Sequence, residues 1–238
     1  MIKKTLIAMG ALLFSLHCFA DDATQTTSES PATTAAPAAA DIVAGKQYVV
    51  LPSVQSPDKE VIEFFSFNCP SCYLFENEFH GPQTIEKGLP EGVKFKRYHL
   101  DDFGFLGKEL SEAWAIANVL GIQDKASQAL YVAIQKEHTI KTADDIKALF
   151  ATLGVDAETY DKTKDNFLVA AFLAQQTSAI NELKPRAIPA VVVNRKYYII
   201  ARGLDQTSNE SVINDYARVA AFLSELKADG TSAPAQDN

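Results

Sequence analysis

The feature that most constrains this chain is a short aromatic segment that leads directly into a pair of cysteines. Residues 61–67 read Val-Ile-Glu-Phe-Phe-Ser-Phe, an apolar and β-prone run that is typical of a buried strand. Cys69-Pro70-Ser71-Cys72 follows at once. Pro70 suits the first turn of a helix, because the N–H group that proline lacks would have no intrahelical partner there. The pattern therefore predicts a strand, a turn and a helix that begins at the cysteines.

This placement predicts redox chemistry at Cys69 and Cys72. Unpaired N–H groups and the positive end of the dipole at a helix start stabilise an anion, so we expect a lowered pKa for Cys69. We expect Cys69 to be exposed, and Cys72, one turn further on, to be covered. A substrate thiolate would attack Cys69, and a second substrate thiol would then displace it, which leaves both cysteines reduced. The disulfide itself would be the redox group, with no other cofactor.

Two interpretations in which a lone C-x-x-C has no redox activity remain open. The pair could be half of a zinc site, but a structural site needs four ligands and the chain has no second C-x-x-C. Beyond residue 20 only three histidines could complete such a site: His80, His99 and His138. The pair could also form an inert disulfide, although so short a loop removes little entropy from the unfolded chain. Both are weaker than the redox interpretation, and we expect no bound metal.

Glu63 and Pro189 are the other informative residues. Glu63 stands in an otherwise apolar strand and lies either at an exposed edge or in the interior. If it is buried, its pKa should rise and it could exchange a proton with Cys72, with Arg97 on the next predicted strand as its charge partner. Pro189 follows Ile188 and belongs at the start or edge of a strand. From the residues alone we expect a trans bond there.

Residues 1–20 are typical of a secretory signal peptide, with two lysines, an apolar run and then Cys18-Phe19-Ala20 before a pair of aspartates. The apolar run is shorter than the roughly 20 residues that span a bilayer. Cleavage after Ala20 would leave a single cysteine pair in an exported compartment, where disulfides persist. Cys18 could instead carry a lipid anchor, but the two residues before it are not small, which disfavours that alternative.

The charge balance argues against nucleic acid as a partner. The chain has 22 lysines and arginines against 30 aspartates and glutamates, a formal net charge of -8. Removal of the two lysines of the leader would bring the net charge to about -10 by the standard side-chain charges. A protein this acidic is repelled by a phosphate backbone.

Helical periodicity fills the middle of the chain, between two groups of strands. The order implies one α/β domain interrupted by helices, an insertion that loops tolerate. The predicted elements after the first strand are a strand over 93–100, helices over 110–120, 124–136, 142–153 and 167–183, a hairpin of 190–193 and 196–200 around Asn194-Arg195, and a helix over 209–227.

Several of these motifs together resemble the DsbA family of periplasmic disulfide oxidases. The resemblance covers residues 45–227. The matching motifs are Glu63 to Phe67 leading into Cys69 to Tyr73, Pro90 to Lys94, Tyr98-His99, Leu106-Gly107-Lys108, Gln175-Gln176 and Ile188-Pro189-Ala190.

The resemblance implies a thioredoxin-like fold with an inserted all-helical domain. It also implies that Pro189 has a cis bond facing Cys69 and Cys72, and that Glu63 is a buried acid close to them. Substrate would contact Ile188, Pro70 and Ser71. The implied partners are reduced or unfolded exported proteins and a DsbB-type, quinone-linked membrane oxidase that restores the disulfide, in the periplasm.

These interpretations divide the chain into six segments. The predicted boundaries are a signal peptide at 1–20, a disordered Ala/Thr/Pro-rich tether at 21–44, a thioredoxin-like domain in two parts at 45–101 and 177–228, a helical domain at 102–176, and a flexible tail at 229–238.

Two departures from the familiar pattern bear on the activity. The best-known members of the family have histidine where this chain has Ser71, and an aromatic residue where it has Asn68. A serine hydroxyl can donate a hydrogen bond to a thiolate but brings no positive charge, so the oxidising strength is open. A disulfide isomerase or reductase of the same fold, and a non-catalytic peptide-binding holdase, are therefore the competing functions.

Overall fold

Strand β2, Glu60–Phe65, is the innermost element of the fold, and all six of its residues are buried. The computed structural model describes residues 41–226. Within that part β2 pairs in parallel with β3, Lys94–His99, and antiparallel with β4, Ala190–Val193. The continuous apolar run thus forms a strand covered on both faces, as predicted.

The sheet continues beyond β4 through the predicted hairpin. β5, Tyr197–Ile199, pairs antiparallel with β4. The intervening Asn194 and Arg195 have φ values of 49° and 55°, the left-handed conformation that a tight two-residue turn requires. β1, Tyr48–Val50, pairs antiparallel with β5 and completes the order β1-β5-β4-β2-β3.

The alternation of side chains along β2 and β4 separates two cores. Val61, Val191 and Val193 face helices α2, Gly81–Gly88, and α8, Asn209–Ser224. The neighbouring residues on each strand face the opposite side, where they meet the second half of helix α7, Phe167–Leu183. The sheet therefore lies between two helical layers.

A helical segment is inserted between β3 and β4, so the mixed α/β fold with a helical insert is confirmed. Its helices are α3, Gly107–Leu120, α4, Gln123–Gln135, α5, Ala143–Thr152, α6, Ala157–Lys164, and the first half of α7. The helix limits predicted at 120 and 142 are confirmed, because Gly121 ends α3 and Thr142 begins α5 with Asp145 in a capping box. The active-site side of β2, the first helix and these helices share one core.

The structure corrects four details of the prediction. The boundary expected at 176 falls inside α7, one continuous helix that serves both cores. Residues 41–44 were assigned to the tether, yet Ile42 is buried against the α8 side of the sheet. The final helix ends at Ser224 rather than 227. Strand β1 and helix α6 were not predicted, because both are short and largely polar or exposed.

The remaining predictions for the chain ends concern residues that the structure does not describe. The signal peptide at 1–20, most of the tether and the flexible tail lie outside residues 41–226. Among the described helices, none combines the length and the apolar character that a membrane crossing needs.

Candidate active site

The two cysteines lie at the start of the helix that follows β2. Cys69 is the N-cap residue of α1, Pro70–Tyr73, and Pro70 occupies the first turn. The helix continues as one π-helical stretch, Leu74–Glu78, before α2. Both cysteines are free thiols in this structure. The predicted strand, turn and helix around the pair are confirmed.

The pKa of Cys69 is lowered, as the sequence predicted, but the helix start is not the main cause. The value falls from 9.0 to about 6, chiefly because the Cys72 thiol donates a hydrogen bond to the Cys69 sulfur. Backbone N–H groups of Cys72 and Ser71 contribute further, against the opposing effect of burial. Cys69 is therefore largely a thiolate at neutral pH, which is the nucleophilic and good leaving form of the sulfur.

Cys72 has the opposite environment. Burial raises its pKa above the ordinary value, and its hydrogen bond to Cys69 and the negative charges of Cys69 and Glu63 add to the effect. Only 1% of the residue is exposed. Cys72 is therefore a protonated thiol in the reduced protein.

The expectation that Cys69 is exposed was wrong. Its exposed fraction is 5%, close to that of Cys72. The Ile188 backbone oxygen lies 3.7 Å from the Cys69 sulfur and covers it from the loop before β4. The sequence could not reveal this cover, because it comes from a segment 119 residues further along the chain.

Pro189 adopts the conformation that the resemblance implied. The Ile188-Pro189 bond is cis, so the trans bond expected from the residues alone was wrong. The bond directly precedes β4 and places Ile188 against the cysteine pair. Both residues are half-buried, whereas Pro70 and Ser71, which lie between the two cysteines in the chain, are exposed.

Glu63 is buried and has the predicted charge partner. Its Oε2 accepts a hydrogen bond of 2.6 Å from Nε of Arg97, directly opposite on β3. Burial raises the pKa of Glu63 more strongly than Arg97 lowers it. The second oxygen, Oε1, has no hydrogen-bond partner within residues 41–226. A buried carboxyl with a raised pKa and a free oxygen can accept or release a proton.

The ion pair extends to residues that sequence reasoning missed. Arg97 also donates two hydrogen bonds to Glu76, one of them 3.1 Å long from Nη1 to Oε1. The Ser127 hydroxyl on α4 donates to the same Glu76 oxygen at 2.6 Å. The network thus joins β2, β3, the active-site helix and the helical insert beneath the cysteines.

Two aromatic rings pack against Arg97. Its guanidinium lies 4.6 Å from the ring centre of Phe65 and 5.3 Å from that of Trp114. The carboxylates around it raise the pKa of Arg97 despite its burial. The cation therefore stays charged and compensates the buried acids.

A second loop borders the cysteines and was not identified from the sequence. The Asn68 side chain donates hydrogen bonds to the backbone oxygens of Phe103 and Phe105, at 3.2 and 2.9 Å. Gly104 between them has a φ of 82° and leaves no room for a Cβ beside Asn68. Phe103 and Phe105 are 41% and 48% exposed, so apolar surface adjoins the active site.

These elements together define a class of protein. A thioredoxin-like sheet presents a low-pKa cysteine at a helix start, pairs it with a protonated buried thiol and covers both with a cis-proline loop. Among residues 41–226 no group of three or more histidine, cysteine or acidic side chains is arranged to hold a metal ion. The arrangement is that of a thiol:disulfide oxidoreductase.

Comparison with known proteins gives the family. The profile of the DSBA-like thioredoxin domain matches residues 60–211. The thiol:disulfide interchange protein DsbA of Dickeya dadantii is 46% identical over 187 residues, 78% of this chain and 89% of that protein. The crystal structure of the disulfide oxidoreductase DsbA from Proteus mirabilis has a TM-score of 0.74 and 39% identity, over 78% of this chain and 98% of that chain. The chain therefore belongs to the DsbA family of thiol:disulfide interchange proteins.

A further structure of the Proteus mirabilis protein includes a ligand. That cysteine-to-serine variant was solved with a non-covalently bound heptapeptide, PWATCDS, and has a TM-score of 0.74 and 38% identity to this chain. It covers 77% of this chain and 98% of its own length.

Proposed function

We propose that the protein donates the Cys69–Cys72 disulfide to cysteine pairs of newly exported proteins. The observation that carries this is the opposite displacement of the two cysteine pKa values. Because a stabilised thiolate favours the reduced form, the oxidised protein gains electrons readily and is therefore an oxidant.

The exchange proceeds in two displacements. A substrate thiolate attacks the Cys69 sulfur, the Cys69–Cys72 bond breaks, and its electron pair moves to Cys72. A second thiolate of the substrate then attacks the substrate sulfur of the mixed disulfide. Cys69 leaves as a thiolate, which its pKa of about 6 favours. The substrate loses two electrons and the protein gains them.

Glu63 supports the first displacement as a proton carrier. Cys72 leaves into the interior, where its raised pKa means that the anion must gain a proton. Glu63 has a raised pKa and an oxygen without a partner. We expect its carboxyl to hold a proton while the disulfide is intact, to pass that proton to Cys72, and to take it back when the disulfide is restored.

Substrate recognition uses the surface around the cysteines. Ile188 lies against Cys69, and Pro70 and Ser71 are exposed between the two cysteines. The backbone of the cis-proline loop would hold an extended peptide near Cys69, a mode that main-chain contacts make tolerant of sequence. Peptide binding by the Proteus mirabilis relative supports this assignment.

The proposed cellular setting is supported by family membership and by the signal peptide predicted at 1–20. The protein would work in the periplasm after signal-peptide cleavage. A DsbB-type membrane oxidase would restore the disulfide. Reduced or unfolded exported proteins are its substrates, and neither nucleic acid nor a metal takes part.

One pair of measurements tests the function against its competitors. The reduction potential of the protein without residues 1–20 is determined against glutathione, and insulin reduction is followed in parallel. An oxidase has a potential well above that of glutathione and reduces insulin slowly. A reducing potential with rapid insulin reduction would identify a reductase or isomerase, and no exchange in either direction would identify a holdase.

A further inference from the structure

A cavity on the α7 side of the sheet is lined by none of the active-site residues. It is half-open, has a volume of about 460 Å³ and lies between the segment after β1 and the end of α7. Its lining is mainly apolar and includes Val49, Leu51, Pro52, Leu183 and Tyr198. Leu51, Leu183 and Tyr198 also pack against the core on this side of the sheet, which holds them in place. Binding sites for small molecules have typical volumes of about 300–1,000 Å³ and mainly apolar linings of this kind.

Three hydrogen bonds fix one wall of this cavity. The Leu51 N–H donates to the Lys196 backbone oxygen at 2.7 Å, and Nζ of Lys196 donates to the Ser53 backbone oxygen at 2.7 Å. The Ser53 hydroxyl donates in turn to the Arg195 backbone oxygen. The wall formed by residues 51–53 is thus tied to the hairpin of β4 and β5, and the cavity exists before any ligand arrives. A preformed site loses less entropy when its ligand binds.

The charges that remain free at this cavity are positive. Lys184 and Arg186 line the cavity and are exposed to solvent, and neither side chain has an ion pair within residues 41–226. Glu182, the acid of the lining, is already paired, because Nη1 of Arg195 donates a hydrogen bond of 2.6 Å to it. The chain as a whole has a formal net charge of -8. Two unpaired cations beside an apolar cavity in such an acidic protein favour an anionic ligand.

The lining favours a hydrocarbon chain over a peptide. An extended peptide would leave backbone N–H and C=O groups without partners against Val49, Leu51 and Leu183, which costs free energy. The one hydrogen of the Ser53 hydroxyl is already engaged at the Arg195 oxygen. A hydrocarbon chain has no polar groups to satisfy and gains free energy when it leaves water. The acidity of the protein disfavours docking on an anionic membrane surface, which leaves a single amphiphile molecule as the ligand.

We propose that this cavity binds a single-chain anionic amphiphile of the fatty-acid type. The aliphatic chain lies along Val49, Leu51 and Leu183, and the carboxylate pairs with Lys184 and Arg186. Binding is non-covalent and requires no change in the cysteine pair. The site is therefore separate from disulfide exchange and goes beyond the proposed function.

Calorimetric titration with three amphiphiles of equal chain length tests the charge selection. The probes are decanoate, decanol and decyltrimethylammonium, each below its micelle concentration, added to the protein without residues 1–20. We expect one saturable site for decanoate, about tenfold weaker binding of decanol and none of the cation, because each exposed ion pair adds only a few-fold in affinity. Added salt should weaken the binding of decanoate. Equal affinity for the three probes, or no saturable binding of decanoate, overturns the proposal.

A cavity-filling substitution provides a second test with a matched control. Val49 lines the cavity, whereas Val54, which is 83% exposed, does not. Val49→Trp should lower the affinity for decanoate at least tenfold, and Val54→Trp should keep the wild-type affinity. A wild-type affinity in Val49→Trp would show that decanoate binds elsewhere and would overturn the site.

The two cations are tested by a double substitution that removes only their charge. Lys184→Gln with Arg186→Gln should lower the affinity for decanoate about tenfold and leave the affinity for decanol unchanged, whereas a structural defect would weaken both. Lys108→Gln with Lys125→Gln is the control, because it removes the same charge from exposed positions on α3 and α4. Equal losses in the two double variants would indicate general electrostatic attraction and overturn the role of the two cations.

Amide chemical shifts of the wild-type protein locate the ligand without any substitution. Saturating decanoate should shift the signals of residues 49–53, 182–186 and Tyr198, and leave those of the helical insert unchanged. Shifts confined to the surroundings of Cys69 would place the amphiphile at the active site and overturn the proposal. Neither result bears on disulfide exchange, which the glutathione and insulin measurements test separately.

Discussion

The two sides of the active-site helix shift the pKa of a cysteine in opposite directions. On the outer side, Cys69 receives hydrogen bonds from the Cys72 thiol and from backbone N–H groups at the helix start, and its pKa falls to about 6. On the inner side, Cys72 faces the apolar core and the charge of Glu63, and its pKa rises. The sulfurs are only three residues apart.

The difference shows how one short motif provides two chemical roles. Groups whose environments displace their pKa values in opposite directions divide the work between them. Cys69 is the sulfur that the substrate attacks and that later leaves as an anion at neutral pH, whereas Cys72 is displaced in the first step and carries a proton in the reduced protein. The inner side also holds the Glu63–Arg97–Glu76 network, which contacts no substrate.

The largest effect is expected when one cysteine of the pair is replaced. Cys72→Ser leaves an active nucleophile without its resolving partner, so it should accumulate mixed disulfides with exported proteins. Cys69→Ser should accumulate none. Thiol-trapped extracts compared on non-reducing gels measure both, with the double variant as the blank. Equal trapping by the two single variants would contradict the division of roles.

The next largest effect is a loss of stability when the ion-pair network on the inner side of the helix is broken. Arg97→Met removes the cation that Glu63 and Glu76 share and leaves two buried acids uncompensated. Breaking a buried ion pair typically costs about 3–5 kcal/mol, and urea unfolding would measure it.

A solvent-exposed ion pair provides the control for this prediction. Lys147→Met removes the pair of Lys147 with Asp161, which should change the free energy of unfolding by less than about 1 kcal/mol. Similar losses in Arg97→Met and Lys147→Met would show that the buried network contributes little.

A smaller effect is expected in the way the stability of the reduced protein depends on pH, through Cys69 on the outer side of the helix. The folded pKa of Cys69 is lowered to about 6 from 9.0, so thiolate stabilisation of the reduced form is complete above pH 9 and is lost as the pH falls through 6. Between these values the free energy of unfolding of the reduced form should gain up to about 1.4 kcal/mol per pH unit over the oxidised form.

Calorimetry of both redox forms from pH 5 to 8 checks this expectation. The oxidised protein should melt at the lower temperature at pH 8, and the two melting temperatures should converge toward pH 5. A constant difference across this range, or a more stable oxidised form at pH 8, would turn the assignment toward a reductase.

The smallest expected effect changes one exposed side chain. A histidine at position 71 would be partly protonated beside the Cys69 thiolate, so Ser71→His should lower the Cys69 pKa and make the protein more oxidising. A fall of one pKa unit corresponds to roughly 30 mV for this two-electron couple.

Thiolate absorbance titration and glutathione equilibria measure this change, with Ser71→Ala as the control. The alanine variant should keep the wild-type values, since neutral serine contributes no charge. If Ser71→His also keeps them, backbone N–H groups and the Cys72 thiol alone determine the redox behaviour of Cys69.

Local patterns were sufficient for much of the fold. The apolar run of β2, the turn at Asn194 and Arg195 and the capping box at Thr142 each depend on neighbours in sequence, and each was predicted correctly. β1 escaped prediction because three residues, two of them exposed valines, carry no periodic signal. Its stability comes from pairing with β5.

The residues of the site likewise divide into those that local sequence patterns predicted and those that they did not. Glu63 and Arg97 were paired in the prediction because adjacent strands place them side by side. Glu76 and Ser127 were missed, since each lies on a helix as an ordinary polar residue. No local pattern joins them, because they are 51 residues apart in the chain.

The sequence by itself determined the position of the cysteine pair and the direction of the Cys69 pKa shift, because the helix start, its N–H groups and the Cys72 thiol belong to adjacent residues. Only the tertiary structure decided how that chemistry is enclosed. The Ile188 oxygen that covers Cys69, the cis bond at Pro189 and the meeting of Glu76, Arg97 and Ser127 bring together segments far apart in the chain. Such contacts depend on the packing of whole layers, and packing energies are shared among residues whose separation in sequence leaves no local pattern.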